Sequence, residues 1–514
     1  MEWILTNIDN IKVNTSVSKY SFDNYSLYTD KHYDNNYIID GYIIPTQQYF
    51  SQYNHLKNSD LIKHLIYNNI PVEHAIKGIY SVIILNNNNF QLFNDRLGIR
   101  KYFYYINNNN FIISNKIDNI ISNINISLNN ISFPIFSIFH HFLGQYTLFN
   151  NIYFSQPAQS FNYTNNNFNI NNYWNFDKLI QQNTINISPT DFSIKYLSIV
   201  KDYINYFNNP NISITITGGM DSRTLLAAIL NLNINPHLFT FGNPLSKDVI
   251  FSKNIAKTLN LNYSNHYFIP TPLNYLSLTK EIIQNGNTIT NIHRAHRLHA
   301  IKQELSISPN TKILFTGHMG GEGIRGLTIN DYFSSPLIKN ILYQNINPQI
   351  INNTLLKYFI KLEHNTTQQL TSIITNMPLF NLNSSQLRTF YYLYYVIAHI
   401  HHAQDINFYL DYVPIVVPIY LDYDYLNLLF SSNYNFLHKA TSINKLENPY
   451  LYCNIIKNLY PQLAKPLFSN MFSPNEYLFN KYYYVFIKSL RNKLYKKNYP
   501  PNFDYTDWFF EYIK

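Results

Sequence analysis

The sequence predicts a two-part chain: a β-rich N-terminal domain, then an α/β domain with a parallel sheet and a helical C-terminal part. Three observations predict it. Residues 1 to about 175 carry short apolar runs separated by Asn-rich turns. From about residue 190, strand-like runs alternate with stretches of helical period, the pattern of a parallel sheet. The chain's 514 residues exceed what one ordinary core holds. The boundary is placed at 178, giving domains 1–178 and 179–514.

In the first domain, Tyr80–Leu85, Phe90–Phe93, Lys101–Ile106 and Phe111–Ser114 read as strands. The tracts Asn86–Asn89 and Asn107–Asn110 between them read as hairpin tips. Residues 162–172 read as one more polar stretch, closed by Tyr173-Trp174. In the second domain, Asn211–Ile216 is a strand ended by Gly218-Gly219. Ser222–Leu230 is a helix with Leu225, Leu226 and Ile229 on one side. His237–Phe241, Lys247–Leu259 and Tyr263–Phe268 continue as strand, helix and strand. After 330 the pattern is mostly helical, interrupted by Pro414 and Pro418. No internal repeat is evident.

Composition narrows the class. With 46% hydrophobic and 13% charged residues, sizeable cores can form. The net charge of +9 is spread along the chain, with one short cluster at Lys488–Lys497, so a solvated basic face is expected, not a nucleic-acid patch. A single cysteine, Cys453, excludes disulfides and Cys-based metal sites within the chain. The N-terminus lacks the basic and apolar regions of a signal peptide, and no run reaches the length of a membrane span. A soluble, cytoplasmic protein is the expectation.

The chemistry is read from Thr217-Gly218-Gly219-Met220-Asp221-Ser222, set between a strand and a helix. Two glycines allow backbone N–H groups to converge on an anion. Ser222 can cap the helix, and the helix N-terminus adds a positive end for phosphate oxygens. Asp221 beside phosphates makes sense if it holds Mg²⁺. A plain Gly-Gly turn with Asp as a cap is the structural alternative. The spacing matches neither a Walker A loop nor a dinucleotide fingerprint.

The segment ITITGGMDSRTLLAAI resembles the SGGxDS pyrophosphate loop of the asparagine synthetase family of N-type ATP pyrophosphatases, with Thr217 for the usual Ser. The resemblance implies ATP and Mg²⁺ as cofactors, with Ile216 and Phe241 giving backbone contacts to adenine. FTFGNPLSKDVIFSKNIAKTLNL continues it, with Asp248 in the expected helix. LFTGHMGGEGIRG resembles the family's second nucleotide motif, with Thr316 and Gly317 as its Ser-Gly. His318 stands where asparagine synthetases have Glu, β-lactam synthetases Tyr and lasso-peptide cyclases commonly His. An imidazole there suits removal of an amine proton near neutral pH; a histidine simply hydrogen-bonded in a loop is the alternative. Gly321 takes the place of the family's metal-binding Asp, so either a one-residue shift lets Glu322, the motif's only carboxylate, reach Mg²⁺, or that ligand is lost.

KGIYSVIIL, NDRLGIRKYFYY and FIISNKIDNI (Lys77–Ile120) resemble the family's glutaminase domain, an N-terminal-nucleophile-type sandwich. Asp95, Arg96, Leu97, Gly98 and Tyr104 are in register, and Lys101 replaces a usual Pro. Asp40-Gly41-Tyr42 resembles its substrate loop. The nucleophilic Cys is absent: residue 2 is Glu2, and a carboxylate cannot replace the thiolate. Glutamine hydrolysis is therefore not expected. Val416–Phe430 resembles the RVPFLD segment. The stretch beyond it echoes the family's Lys-bearing tail, which makes Lys439 and Lys445 candidate catalytic residues.

His293, His296 and His299 lie at i, i+3, i+6, so a helix would set neighbours on roughly one face. A zinc site would need a carboxylate besides. Alternatives are a pocket-lining helix with Arg294 and Arg297 reaching an acidic substrate, or a packed helix.

The expected activity is adenylation of a small-molecule or peptide carboxylate, with AMP and pyrophosphate released, followed by attack of an amine or ammonia. A lasso-type macrolactam or β-lactam cyclase and a non-catalytic nucleotide-binding relic are the alternatives. No nucleic-acid or membrane partner is expected, and a homodimer is left open.

Overall fold

A computed structural model describes residues 1–14, 16–30, 36–139, 141–287, 289–325, 340, 344, 346–356, 363–437 and 449–495. Alternating apolar residues in the first 172 positions build eleven strands: β1 (Trp3–Thr6), β2 (Ser18–Ser21), β3 (Ser26–Thr29), β4 (Tyr37–Pro45), β5 (Ile76–Leu85), β6 (Asn89–Asn94), β7 (Phe103–Asn107), β8 (Asn110–Ser114), β9 (Tyr153–Phe154), β10 (Gln159–Thr164) and β11 (Asn167–Asn172). They form two antiparallel sheets, ordered β2-β3-β1-β8-β7-β9 and β11-β10-β6-β5-β4. Trp3, Leu5, Ile83, Leu92, Phe111 and Phe161 are buried together between the two sheets.

The Asn tracts are hairpin tips, as expected: Asn86 N–H donates to the Asn89 carbonyl at 2.9 Å, and Asn107 pairs with Asn110. The polar stretch 162–172 is different from its reading. It is a hairpin, β10 against β11, turning at Asn165-Asn166 with both residues at positive φ (52° and 63°). Asparagine tolerates that left-handed pair, which matches the twist of the strands. Phe161 and Tyr163 point inward from it.

The second layer system is a parallel sheet of β12 (Ile212–Thr215), β13 (His237–Phe241), β14 (Tyr263–His266), β15 (Ile313–Thr316) and β16 (Ile415–Pro418), ordered β14-β13-β12-β15-β16. Helices Asp221–Asn231, Lys247–Leu259 and Ala295–Ile307 connect or flank the strands. The described residues after 330 are mostly helical, as expected, and β16 falls at the interruption marked by Pro414 and Pro418. Pro414 and Pro418 bracket an edge strand, where proline's missing N–H costs no ladder bond. No helix among the described residues is long and apolar enough to cross a membrane.

Buried polar contacts join the two systems. The Lys77 ammonium lies 3.2 Å from Asp422 and 2.8 Å from Asp424, all three buried. Burial opposes its charge, but the two carboxylates win and raise its pKa. The Arg96 guanidinium stacks on the Tyr423 ring at 3.8 Å. The Asp95 carboxylate accepts N–H bonds from Leu97, Ile99 and Arg100 at 2.9–3.2 Å, shaping a turn that reaches Gly98. Gly98, at φ 61°, lies against the His399 ring, where a Cβ would come within 2.8 Å. The Asp95–Gly98 motif thus serves as a docking corner for the segment that carries His399.

Candidate active site

β12 is the central strand, and the chain leaves it in both directions. β13 and β14 lie to one side and β15 and β16 to the other. The crevice outside the carboxyl ends of β12 and β15 is therefore a topological switch point, where open α/β sheets bind ligands. Thr217–Ser222 follows β12, and Gly317–Gly320 follows β15.

The first loop is tightly bonded. The Ile216 N–H donates to the Phe239 carbonyl at 2.8 Å, and the Thr240 hydroxyl donates to the Ile216 carbonyl. Thr217 N–H donates to Ser222 Oγ at 3.1 Å, and Gly219 N–H to Thr217 Oγ1 at 3.2 Å. Gly218 N–H donates to Asp248 Oδ1 at 3.1 Å, and its carbonyl accepts from Ser469 N–H at 2.8 Å. A Cβ on Gly218 would meet Ser469 at 2.8 Å and Phe251 at 3.1 Å, so only glycine fits. Burial raises the Asp248 pKa, partly offset by the Gly218 N–H. Ser222 is not the helix cap expected from its position. The helix begins at Asp221, Met220 is at the cap, and the Ser222 hydroxyl turns back to Thr217.

The second loop packs on the first. A Cβ on Gly320 would stand 2.5 Å from Asp221 Cβ, and one on Gly317 would stand 3.3 Å from Ser222 N. Two buried tyrosines fasten the contact: Tyr420 donates to the Asp221 carbonyl at 2.6 Å, and Tyr452 donates to the Gly320 carbonyl. Glu322 opens the short helix Glu322–Arg325 two residues beyond Gly320. The two carboxylates assigned to the metal, Asp221 and Glu322, open the helices that follow the two loops. Phe241 closes β13, with the Arg297 guanidinium 4.4 Å over its ring.

His318 projects from this second loop onto Asp405. Its Nδ1 is 2.8 Å from Thr316 Oγ1, and its Nε2 is 3.6 Å from Asp405 Oδ2. Arg294 binds the same carboxylate oxygen at 2.8 Å, and Arg297 approaches it at 3.7 Å. Burial pushes the Asp405 carboxyl up, but Arg294, Arg297 and His318 outweigh it and hold the pKa well below the usual range. Burial lowers the His318 pKa, and Asp405 works against that. The imidazole thus faces the Asp405 carboxylate across 3.6 Å, with its Nδ1 at the Thr316 hydroxyl.

Sequence reasoning missed Asp405 and its neighbour His402. They come from the π-helix Tyr392–His402 and the helix Ala403–Leu410 that follows it. The run His399-Ile400-His401-His402-Ala403-Gln404-Asp405 carried a usable signal, since His402 and Asp405 sit one turn apart. His318, His402 and Asp405 offer ligand atoms within 4.8 Å of one another. Two guanidinium groups already hold the Asp405 carboxylate, so their charge opposes a divalent ion there. The cluster suits proton handling better than metal binding.

The three histidines at 293–299 do not converge. A 3₁₀ turn, Ile292–Arg294, precedes the helix that starts at Ala295. His296 Nδ1–H donates to the His293 carbonyl at 2.8 Å and the ring packs on Phe241, while His299 packs on Phe268. Among the described residues no metal-binding group contains them. Arg294 is committed to Asp405 and, at 2.5 Å, to His401, in place of the acidic substrate expected for it. Lys439 and Lys445 lie outside the described residues. Cys453 is fully buried, which pushes its thiol pKa up and leaves it inert.

No family model and no curated protein matches the chain. Among solved structures, NMN synthetase from Francisella tularensis aligns at 12% identity and a TM-score of 0.25, over 43% of this chain and 97% of that one. NAD+ synthetase from Burkholderia pseudomallei aligns at 10% identity and 0.22, over 43% and 94%. Glutamine phosphoribosylpyrophosphate amidotransferase from B. subtilis aligns at 9% identity and 0.21, over 55% and 64%. At such scores these likenesses carry no functional weight, which rests on the site's own geometry.

Proposed function

We propose that the chain is an ATP-dependent ligase of the asparagine synthetase type, which adenylates a carboxylate and joins it to an amine. One observation carries this reading: the loop Thr217–Ser222 and the loop bearing His318 meet at the switch point of the parallel sheet, with Asp405 behind the imidazole.

The loop residues Thr217, Gly218, Gly219 and Ser222 would receive the pyrophosphate part of ATP, aided by the positive end of the helix Asp221–Asn231. Thr316 and Gly317 would border the nucleotide from the facing loop, with Ile216 and Phe241 at the adenine. Asp221 and Glu322 would hold Mg²⁺, which when bound neutralises charge on the leaving pyrophosphate. Carboxylate oxygen attacks the α-phosphorus, pyrophosphate departs, and a mixed anhydride with AMP forms. His318 then takes a proton from the attacking amine through its neutral imidazole, while Asp405 orients the ring and stabilises the imidazolium. The amine attacks the acyl carbon, AMP leaves and the amide remains. Lys439 and Lys445 are retained as candidates for stabilising the adenylate.

The N-terminal layers, residues 1–178 in this reading, hold the structure without hydrolysing glutamine. Glu2 is where a nucleophile would be needed, and its N–H is bound to Asp30 at 2.9 Å. The absent nucleophilic Cys, and the His at 318 shared with lasso-peptide cyclases, favour an amine carried by a small molecule or peptide, which brings macrolactam or β-lactam closure within the same chemistry.

ATP–pyrophosphate exchange tests this across a panel of carboxylic acids. An acid-dependent exchange that Asp221→Ala abolishes supports adenylation. Absence of exchange with every acid, together with no ATP binding, removes the ligase reading and leaves a non-catalytic protein.

A further inference from the structure

A cavity separates the helix bearing Asp405 from the β-rich layers. Arg100, Lys101 and Lys116 line it on one side, and Gln404, Asn407 and Asp411 on the other. No residue of Thr217–Ser222 or of Thr316–Gly320 lines it.

Three donor groups facing it, on Gln404, Lys101 and Arg100, are incompletely used. Gln404 is only 5% exposed. Its Oε1 accepts from Asn291 N–H at 3.4 Å, but its Nε2 has no hydrogen-bond partner among the described residues. Lys101 is 7% exposed and donates to the carbonyls of Gly98, at 3.0 Å, and His399. No salt bridge pairs it among the described residues. Burial lowers its pKa to about 7, with only Asp95 opposing at a distance. Arg100 gives its terminal nitrogens to Asn407 and Asp40, and its Nε is unpartnered. A buried donor left unsatisfied is destabilising, and an unpaired buried ammonium more so. Asp411 is the one carboxylate among the lining residues.

A cation would face this donor set unfavourably, and an apolar ligand would leave it unsatisfied. One group with two acceptor oxygens satisfies Gln404 and Lys101. We propose that this cavity binds a small carboxylate, held by Gln404 Nε2 and the Lys101 ammonium. Gln404 and Asp405 are consecutive, so the ligand would sit behind the element that orients His318. The carboxylate is either the acid to be activated or a separate effector.

Titration calorimetry of the full chain without ATP, against acetate, L-glutamate and citrate, tests the proposal. At least one acid is expected to bind. Gln404→Glu and Lys101→Met should each weaken it about tenfold or more, with melting temperatures checked for both. No binding tighter than about 1 mM by any probe, or binding unchanged in both folded variants, would overturn it. If neither variant folds, amide hydrogen exchange of the wild type decides: the acid should protect the Gly98–Lys101 and Ile400–Phe408 backbone, and absence of protection overturns the proposal. The source follows from a second arm. A binding acid that supports pyrophosphate exchange, with a raised KM in Gln404→Glu, is the substrate. One that supports no exchange but alters the rate with another acid is an effector. Binding is read without ATP, so this proposal and the ligase reading fail separately.

Discussion

His318 Nε2 stands 3.6 Å from Asp405 Oδ2, and the same oxygen is held by Arg294 at 2.8 Å. The carboxylate is thereby kept ionised in a buried place and faces the imidazole with its charge intact. The pairing divides the proposed reaction into two steps with different residue requirements.

His318→Ala should spare the first step and harm the second. Pyrophosphate exchange should stay near wild type, while amide formation should fall about 10²–10⁴-fold, the usual worth of a general base. Exchange and product formation measured on one preparation check this. Equal loss in both would mean that His318 shapes the loop without acting on the amine.

The pH dependence follows from burial. The His318 pKa is lowered from 6.5, and Asp405 opposes that lowering. The base form is the neutral ring, so amide formation should rise with pH through an inflection below 6.5 and be flat at neutrality. Asp405→Asn removes the opposing charge, so the inflection should move further down while the plateau rate falls. A pH–rate profile of the two proteins reads both effects.

Gly320→Ala should separate function from folding. The added Cβ would lie 2.5 Å from Asp221 Cβ and force the two loops apart. Exchange should drop about 100-fold, the scale of a misplaced reacting group. Gly144→Ala, which meets nothing closer than 3.7 Å, is the control despite its positive φ, and exchange should survive it.

The Glu304 cluster should set acid stability. Glu304 is fully buried and bonds His237 at 2.5 Å, His266 at 3.0 Å and Ser264 at 2.8 Å. Burial pushes its pKa up, but the His237 and His266 bonds prevail and bring it to about 2. The unfolded carboxyl, near 4.5, binds its proton first as pH falls. The cluster's contribution is therefore complete above about pH 4.5 and lost progressively towards pH 2. Denaturant melts between pH 7 and 3 should show this loss, and Glu304→Gln should flatten it.

The scaffold reading of the N-terminal layers rests on Lys77. Its ammonium joins Asp422 and Asp424 across the two layer systems, all buried. Lys77→Met leaves two buried carboxylates without their cation and should cost about 3–5 kcal/mol. Urea melts of the variant measure the loss.

Much of the parallel sheet was legible because its punctuation is local. His237–Phe241 and Lys247–Leu259 were read with their actual limits, since Asn and Ser mark the turns between them. The hairpin of β10 and β11 was hidden by asparagine, which is used both as strand surface and as turn residue in this chain. β16 was hidden by its flanking prolines, whose tolerance depends on an edge position that only the sheet order reveals. The loop pair at Thr217–Ser222 and Thr316–Gly320 was legible from glycine spacing. Asp405 was not, because its pairing with His318 depends on how a π-helix is docked against the Asp95–Gly98 corner. Ser222 is one residue inside the helix and not at its cap, so its hydroxyl accepts from Thr217 N–H and not from a helix N–H group.

The central claim is that this chain breaks ATP between its α- and β-phosphates. Wild type incubated with α-labelled ATP and the acid that supports exchange should yield labelled AMP, and Asp221→Ala should yield none. Labelled ADP as the acid-dependent product would contradict the account.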